Sequence, residues 1–509
     1  MSAQIAIVAT IIVYLGIMIY IGFYFSKNSD DSTSGFYLGG RKLGPLVAAM
    51  SAEASDMSSW LLMGLPGVAY LTGVSDAAWT AIGLAIGTYL NWLFVAKKLR
   101  RYTAKLDAIT IPEFFSKRFH DKKNVLSLIA ALVILIFFIP YTASGFKAVG
   151  TLFSTLFGAE YHIAMLVGAA VIVGYTVMGG FLAVSTTDLI QSIVMSIALI
   201  VIVFFGINMA GGWGAVAENA KSLSGYLSLT SIHNADGTSS PYGFITIIST
   251  AAWGLGYFGM PHILLRFMAV RDEKEIKTSR RIGSVWVVIS MAVAILIGII
   301  GSAASKAGAI DVLEGSSDAE TVVIRFANLI AQHGALAAIV AGLVMAGILA
   351  CTMSTADSQL LTAGSSFSEN LLRDFLGVKM SEKAYMLVAR LTIAVIAIIA
   401  VFLAWNPDSS VFTIVSFAWA GFGAAFGPIV LCSLFWKRTN FAGALAGMIS
   451  GGVVVFVWKY LVRPMGGAWN IYELLPAFIV SLVCIVAVSL CTKAPSEEVM
   501  AEFDEISAK

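Results

Sequence analysis

Apolar runs of about 20 residues, the length a helix needs to cross the hydrocarbon core of a bilayer, recur along this chain with short polar turns between them. They predict spans near residues 4–25, 46–72, 76–96, 124–153, 162–184, 188–210, 242–267, 282–304, 335–366, 384–404, 410–436, 441–462 and 472–492. The pattern is that of an all-α polytopic membrane protein with about thirteen transmembrane helices. Three spans depart from uniform hydrophobicity. In the second, residues 51–67 read SAEASDMSSWLLMGLPG and place Glu53, Asp56 and four serines ahead of Gly64, Pro66 and Gly67. One ionised carboxylate at the centre of a membrane helix costs roughly 2.5–3.5 kcal/mol on insertion scales, so these groups are expected to face the bundle interior, a cation or a water-filled path. Pro66 interrupts the helical hydrogen-bond ladder, and freed carbonyls at membrane depth are tolerated only where protein, water or an ion satisfies them.

The seventh span repeats the device. Residues 251–266, AAWGLGYFGMPHILLR, bring Gly254, Gly256, Gly259 and Pro261 within a turn or two of Trp253, Tyr257 and His262. Two interrupted spans, five spans apart, predict inverted repeats with a site between them: spans two to six (46–210) and seven to eleven (242–436), with 4–25 and 441–492 outside the repeats. The ninth span ends in hydroxyls at Thr352, Ser354, Thr355, Ser358, Thr362, Ser365 and Ser366, with Asp357 among them. Carbonyl, hydroxyl and carboxylate oxygens suit a small, hard cation. Ser354 and Thr355 set against carbonyls freed in the second span would form an oxygen cage suited to Na+.

Charge placement supplies an orientation. With the N-terminus outside, 26 of the 32 Lys and Arg residues fall on the cytoplasmic side, nine of them in 97–123. The other six are Lys147, Lys221, Lys306, Arg325, Lys459 and Arg463. The positive-inside rule then predicts an outward N-terminus, an odd number of spans and a cytoplasmic tail at 493–509. The N-terminus lacks a basic region and a small-residue cleavage site, so it is expected to be a retained span. A charged fraction of 12% against 58% hydrophobic residues excludes an ordinary soluble domain, where about 25% is charged. The four cysteines, Cys351, Cys432, Cys484 and Cys491, lie in or beside apolar segments without paired spacing, which indicates neither a disulfide framework nor a zinc site.

Six motifs together resemble the sodium/solute symporter family, and within it the proline-carrying branch. They are LGGRKLGP at 38–45, the 51–67 stretch, GGFLAVSTTD at 179–188, GLGYFGMPH at 254–262, MSTADSQLL at 353–361 and AWAGFGAAFGP at 418–428. They run in order over almost the whole chain. The resemblance implies leucine-transporter-type inverted five-helix repeats with broken helices 2 and 7, alternating access, and import of L-proline with Na+ across the cell (inner) membrane. It implies a Na+ site at the Ala54 and Met57 carbonyls with Cys351, Ser354 and Thr355. Asp56 matches an aspartate tied to Na+ dependence. Ser58, Tyr141, Trp253, Tyr257 and Pro261 match positions implicated in proline binding, while Arg41 and Asp188 match charged positions needed for transport. Departures from the branch are Met260 for a glutamine, Glu53 for a glycine, Asp357 for a serine and Cys351 for an alanine.

Plainer readings stand beside these. Asp56 and Glu53 would also fit as hydrogen-bonded structural carboxylates, Asp188 as a cap on the sixth helix, and Asp357 as a paired structural charge or part of an ion path. Lys147 is expected to snorkel, and His262 to be a satisfied or interfacial histidine. The run TVVIRFANLIAQ within 311–332 predicts a short amphipathic helix on the outer surface, and the acidic tail is expected to be solvated. Gly443, Gly447 and Gly451 predict close helix packing. Within transport the alternatives are another small zwitterion, or H+ coupling through Glu53 or Asp56. A non-transporting solute sensor is a further alternative. No nucleophile motif, phosphate loop or Cys/His cluster points to an enzyme, and neither nucleic acid nor an obligate protein partner is indicated beyond membrane lipid.

Overall fold

The computed structural model describes residues 3–28 and 33–507; Lys509, one of the tallied basic residues, lies outside them. Helix α1 is Ala3–Asn28. The interrupted α2 covers 45–72 as Pro45–Ser59, a wide turn over Trp60–Gly64, and Leu65–Thr72. Then come α3 (Val74–Lys105), α4 (Val125–Phe157), α5 (Tyr161–Gly174) and α6 (Gly180–Met209). The interrupted α7 covers 244–269 as Phe244–Ala251, a tight run over Ala252–Gly259, and Pro261–Ala269. It is followed by α8 (Glu273–Lys306), α9 (Ala335–Phe375), α10 (Glu382–Leu403), α11 (Val411–Phe435), α12 (Phe441–Met465) and α13 (Leu474–Cys491). A final helix, α14, is Glu497–Ser507.

Ten of these helices are long and apolar enough to cross a membrane, and α2, α5 and α7 complete the bundle. Exposed Ile, Val, Leu and Phe side chains on α1, α6, α8 and α10 form an apolar perimeter, whereas α9 and α11 are buried over most of their length. The expected glycine packing of α12 has a direct cause. A Cβ on Gly443 would fall 1.9 Å from Ser489 Oγ, and one on Gly447 would fall 2.1 Å from Ile485 Cγ1.

Several sequence expectations need correction. The fifth and sixth spans do not part near residues 185–187 but form one helical run, Tyr161–Met209, that bends at Gly180. There φ is +63° and a Cβ would meet the Phe36 ring at 3.0 Å, so glycine alone is comfortable. Asp188 consequently lies inside a helix and caps nothing. The run in 311–332 is not a surface helix. Val322–Ala331 buries Val322, Val323, Ile324, Phe326, Ala327 and Ile330 in the bundle.

The tail is docked, not solvated. Val499, Phe503 and Ile506 are buried, Arg118 lies over the Phe503 ring at 5.3 Å, and Lys105, Lys437 and His120 pair with Glu505, Asp504 and Glu502. Burial of these apolar side chains outweighs exposed ion pairs, each worth about 0–1 kcal/mol. Phe503→Ala should therefore cost about 3 kcal/mol of local stability. Amide exchange in 497–507 should speed up by roughly 100-fold while α9 stays protected; equal protection in both proteins would contradict the docking.

Candidate functional site

Proline at position 261 has no N–H to give the Tyr257 carbonyl four residues back. Asn91 Nδ2 of α3 supplies the missing donor at 2.8 Å. The carbonyl of Trp253, in the same tight run, accepts from Trp419 Nε1 of α11 at 2.7 Å. That approach requires Gly256, where a Cβ would stand 1.9 Å from Trp419 Nε1. In α2 the chain breaks at Ser58, whose φ of +45° and ψ of −172° are outside the helical region. The Asp56 carbonyl ahead of the break accepts from Tyr141 OH of α4 at 3.2 Å, and the Ala54 carbonyl from Ser354 Oγ of α9 at 2.8 Å. Each interruption thus recruits side chains from other helices.

The oxygens beside the first break form one group. Ser354 Oγ lies 2.8 Å from the Ala54 carbonyl and 3.2 Å from that of Cys351, and Thr355 Oγ1 lies 3.2 Å from the Cys351 carbonyl. All four residues are buried, and Met57, also buried, directly precedes the break. A hydroxyl can turn from donor to acceptor, so the same atoms offer neutral, hard oxygens to a cation of low charge.

Beside the break, Asp56, Met57, Trp60, Leu84, Tyr141, Trp253, Val415 and Trp419 line a closed chamber with about 10 Å³ of free space, roughly enough for one water. That is far below the roughly 300–1,000 Å³ of pockets for drug-sized ligands, so the wall must part to admit a solute. Trp253 stands 5.7 Å from Trp60, 5.4 Å from Phe412 and 6.3 Å from Trp419, centroid to centroid. Tyr257 meets the Trp419 ring edge-on at 5.2 Å and donates its hydroxyl to the Asp56 carboxylate, joining the two breaks. The chamber holds an acidic group, aromatic faces and the Trp60 indole N–H, which is buried without a partner among the described residues. Ser58, Tyr257, Met260 and Pro261 do not line it; Tyr257 contacts its wall through Asp56 and Trp419, and the other three shape the breaks.

The other charged candidates are placed apart from the chamber. Asp188 accepts from Ser51 Oγ at 2.6 Å and from Arg266 Nη2 at 3.1 Å. Arg266 also donates to Ser51 Oγ and, at 2.5 Å, to Ser358 Oγ. Asp357, which accepts from Ser358 Oγ at 3.4 Å, is in electrostatic contact with both Asp188 and Arg266. The charge tally counts Arg266 on the cytoplasmic side, at the end of the seventh span, yet it is 1% exposed inside the bundle. Its position five residues after Pro261, with only apolar residues after His262, was the available signal. Glu53 Oε1 accepts from Thr88 Oγ1 at 2.9 Å and Trp92 Nε1 at 2.8 Å, on the side of α2 toward α3 and away from Arg266.

Arg41 grips the Met268, Thr103 and Ala108 carbonyls at 2.8–2.9 Å. Beside it Leu43 and Val270 form a parallel bridge between the ends of α2 and α7 at the face carrying the basic 97–123 loop. Lys147 does not snorkel. It is fully buried, with Nζ 3.5 Å from Glu320 and 3.0 Å from Ser317 Oγ. Nor is His262 interfacial: it is fully buried, its ring 5.6 Å from Phe138 and beside the Ser55 backbone.

Trp60, Trp419, Leu84, Val415 and Phe412 escaped sequence reasoning because aromatic and aliphatic residues in a membrane span read as ordinary core. Arg266→Met leaves the buried Asp188 carboxylate without its guanidinium partner. It should lower stability by about 3–5 kcal/mol, read as a fall in the thermal midpoint of the purified carrier. Adding Asp188→Asn should recover part of that fall; no change with Arg266→Met alone would contradict the pairing.

Comparison with known proteins places this geometry. A model of the Sodium:solute symporter family matches residues 36–451. A sodium/proline symporter of Staphylococcus aureus is 41% identical over 503 residues, covering 97% of this chain and 94% of the relative. An osmoregulated proline transporter of Bacillus subtilis is 42% identical over 495 residues, covering 97% and 96%. A Na+-coupled sialic acid symporter superposes with a TM-score of 0.78 at 19% identity, over 97% of this chain and 99% of that one. A nucleobase-cation-symport-1 family transporter gives 0.56 at 14% identity, over 92% and 98%. The shared fold is the leucine-transporter type, in which interrupted helices from two inverted repeats meet at a central site, as α2 and α7 do here. With the family model matched over most of its length, this chain belongs to the sodium:solute symporter family, as a membrane carrier and not an enzyme.

Proposed function

We propose that this protein imports L-proline together with Na+. The observation that carries the reading is the adjacency, across one helix break, of a neutral oxygen group (Ala54, Cys351, Ser354, Thr355) and a small aromatic chamber containing Asp56. The two relatives above, named as proline carriers, support the solute. Proline offers an apolar ring, a secondary ammonium and a carboxylate. The Trp60, Trp253 and Trp419 faces suit the first two, and Asp56 adds a negative charge for the ammonium. The Trp60 indole N–H is a donor for the carboxylate.

Na+ binds first, at Ala54, Met57, Cys351, Ser354 and Thr355, and draws the break at Ser58 into order. Because Asp56 and Met57 belong both to this segment and to the chamber wall, ordering the break shapes the solute site. Repeat 46–210 then moves against repeat 242–436, and the Arg41 and Leu43–Val270 contacts part to open the cytoplasmic path. The Asp188–Arg266–Asp357 group lies along α6 and α9 on that path. The N-terminus is outside, as the basic loops indicate, in the cell (inner) membrane. One charge crossing about 100 mV releases roughly 2.3 kcal/mol. A roughly tenfold Na+ gradient adds about 1.4 kcal/mol, enough together for about a 500-fold gradient of a neutral zwitterion.

The test is labelled L-proline uptake into proteoliposomes under an inward Na+ gradient, an H+ gradient or neither. Accumulation with Na+ alone is expected; uptake driven equally by H+, or no proline uptake by folded carrier, would overturn the coupling ion or the solute. Ser354→Ala with Thr355→Ala should raise the Na+ concentration for half-maximal uptake by roughly tenfold or more, as loss of two ligand oxygens implies. Trp253→Ala should weaken proline binding more than Na+ binding, and the reverse ranking would remove Trp253 from the solute wall.

A further inference from the structure

The last two spans lie outside both repeats, yet one of their residues reaches the chamber. Tyr472, just before α13, stacks on Trp253 with centroids 5.3 Å apart and planes 21° from parallel. Trp60 and Phe412 also pack against that indole, at 5.7 and 5.4 Å. The Tyr472 backbone N–H donates to Ser249 Oγ of α7 at 2.6 Å, and its hydroxyl donates to the Ser416 carbonyl of α11 at 2.6 Å. A single residue therefore ties α7 to α11 across the chamber, on the side away from the Leu43–Val270 bridge. The neighbouring Glu473 is fully buried, with Arg463 at 2.9 Å and Lys459 at 3.9 Å. This pairing fixes Tyr472 to the end of α12, so the α12–α13 connection moves as one piece.

We propose that Tyr472 is a gating residue of the carrier: its ring covers Trp253, and its release from Trp253, Ser249 and Ser416 opens the chamber to the face opposite the basic loops. The inference rests on the reading of the aromatic chamber as the solute site, but it concerns access and holds for any solute of that site. A solute approaching from that face meets Tyr472 before Trp253. The hydroxyl bond to Ser416 and the ring contact with Trp253 make separable contributions, because a phenylalanine keeps the second and loses the first. The gate is supplied by a part of the chain that does not belong to the moving repeats, which gives the two extra spans a role in transport.

The experiment uses a full-length carrier with its four cysteines replaced and Leu84→Cys as a reporter in the chamber wall. It measures the rate of labelling by a membrane-impermeant thiosulfonate applied from the side opposite the basic loops, without solute. Tyr472→Ala should raise that rate by roughly tenfold, and Tyr472→Phe by less, as loss of an aromatic stack plus a hydrogen bond implies. Phe478→Ala, on α13 just beyond Tyr472 but packed against Gly427, should leave it unchanged. A rate within about twofold of the parent for Tyr472→Ala would overturn the proposal, as would an equal rise with Phe478→Ala, which marks general loosening. If Tyr472→Ala does not fold, Tyr472→Leu and Ser249→Ala replace it; acceleration in both is expected, and none in either overturns the gate. Because no solute is present, failure here is distinct from failure of proline uptake.

Discussion

A carbonyl freed from its helix inside a low-dielectric bundle must find another donor, and this constraint organises the molecule. The Tyr257, Trp253, Asp56 and Ala54 carbonyls are answered by Asn91, Trp419, Tyr141 and Ser354, from four different helices. An unsatisfied polar group in hydrocarbon costs several kcal/mol, so these four contacts dictate where α3, α11, α4 and α9 sit around the breaks. The functional geometry follows from the same requirement. Oxygens gathered to satisfy a broken helix are also oxygens that a cation can use, and aromatic donors brought in to reach freed carbonyls leave their ring faces lining the space between.

Buried charge adds a second layer with the same logic. Asp188 is held by Arg266 and the Ser51 hydroxyl, and Arg266 also donates to Ser358, whose hydroxyl donates to the neighbouring Asp357, linking α2, α6, α7 and α9 in one network. Glu53 is held by Thr88 and Trp92 instead, with no cationic side chain paired to it among the described residues. At the basic face, Arg41 and the Leu43–Val270 bridge pin the ends of α2 and α7 together. At the other face, Lys147 meets Glu320, which in turn accepts from the Val411 and Phe412 N–H groups at the start of α11.

Much of this was legible in the sequence, for reasons that can be stated. Pro261 marks the break of α7 because proline lacks a donor, and carboxylates and hydroxyls in apolar spans are conspicuous against their surroundings. The break of α2, expected at Pro66, lies earlier at Ser58, and Pro66 sits in the first turn of Leu65–Thr72, where a missing N–H is tolerated. Residues without such contrast were invisible. Trp60, Trp419 and Phe412 look like any interior aromatic until the fold brings them around Trp253. Arg266 was counted with the cytoplasmic charges because composition cannot separate a helix end from the helix interior by less than a turn. Lys147 looked terminal by position, whereas its partner Glu320 is 173 residues away and no local pattern announces the pair. The docked tail failed for a related reason: Val499, Phe503 and Ile506 form a narrow apolar stripe among acidic residues, and its receiving surface around Arg118 is assembled from distant segments.

The central claim is that the oxygen group and the aromatic chamber are coupled through the break at Ser58. Equilibrium binding of L-proline to the purified carrier as a function of Na+, paired with Na+ binding as a function of proline, tests it most directly. Linkage requires each ligand to tighten the other by the same factor, expected in the range of about 5- to 150-fold. Proline affinity indifferent to Na+ in folded protein would contradict the account, because the two sites would then share a helix without sharing free energy.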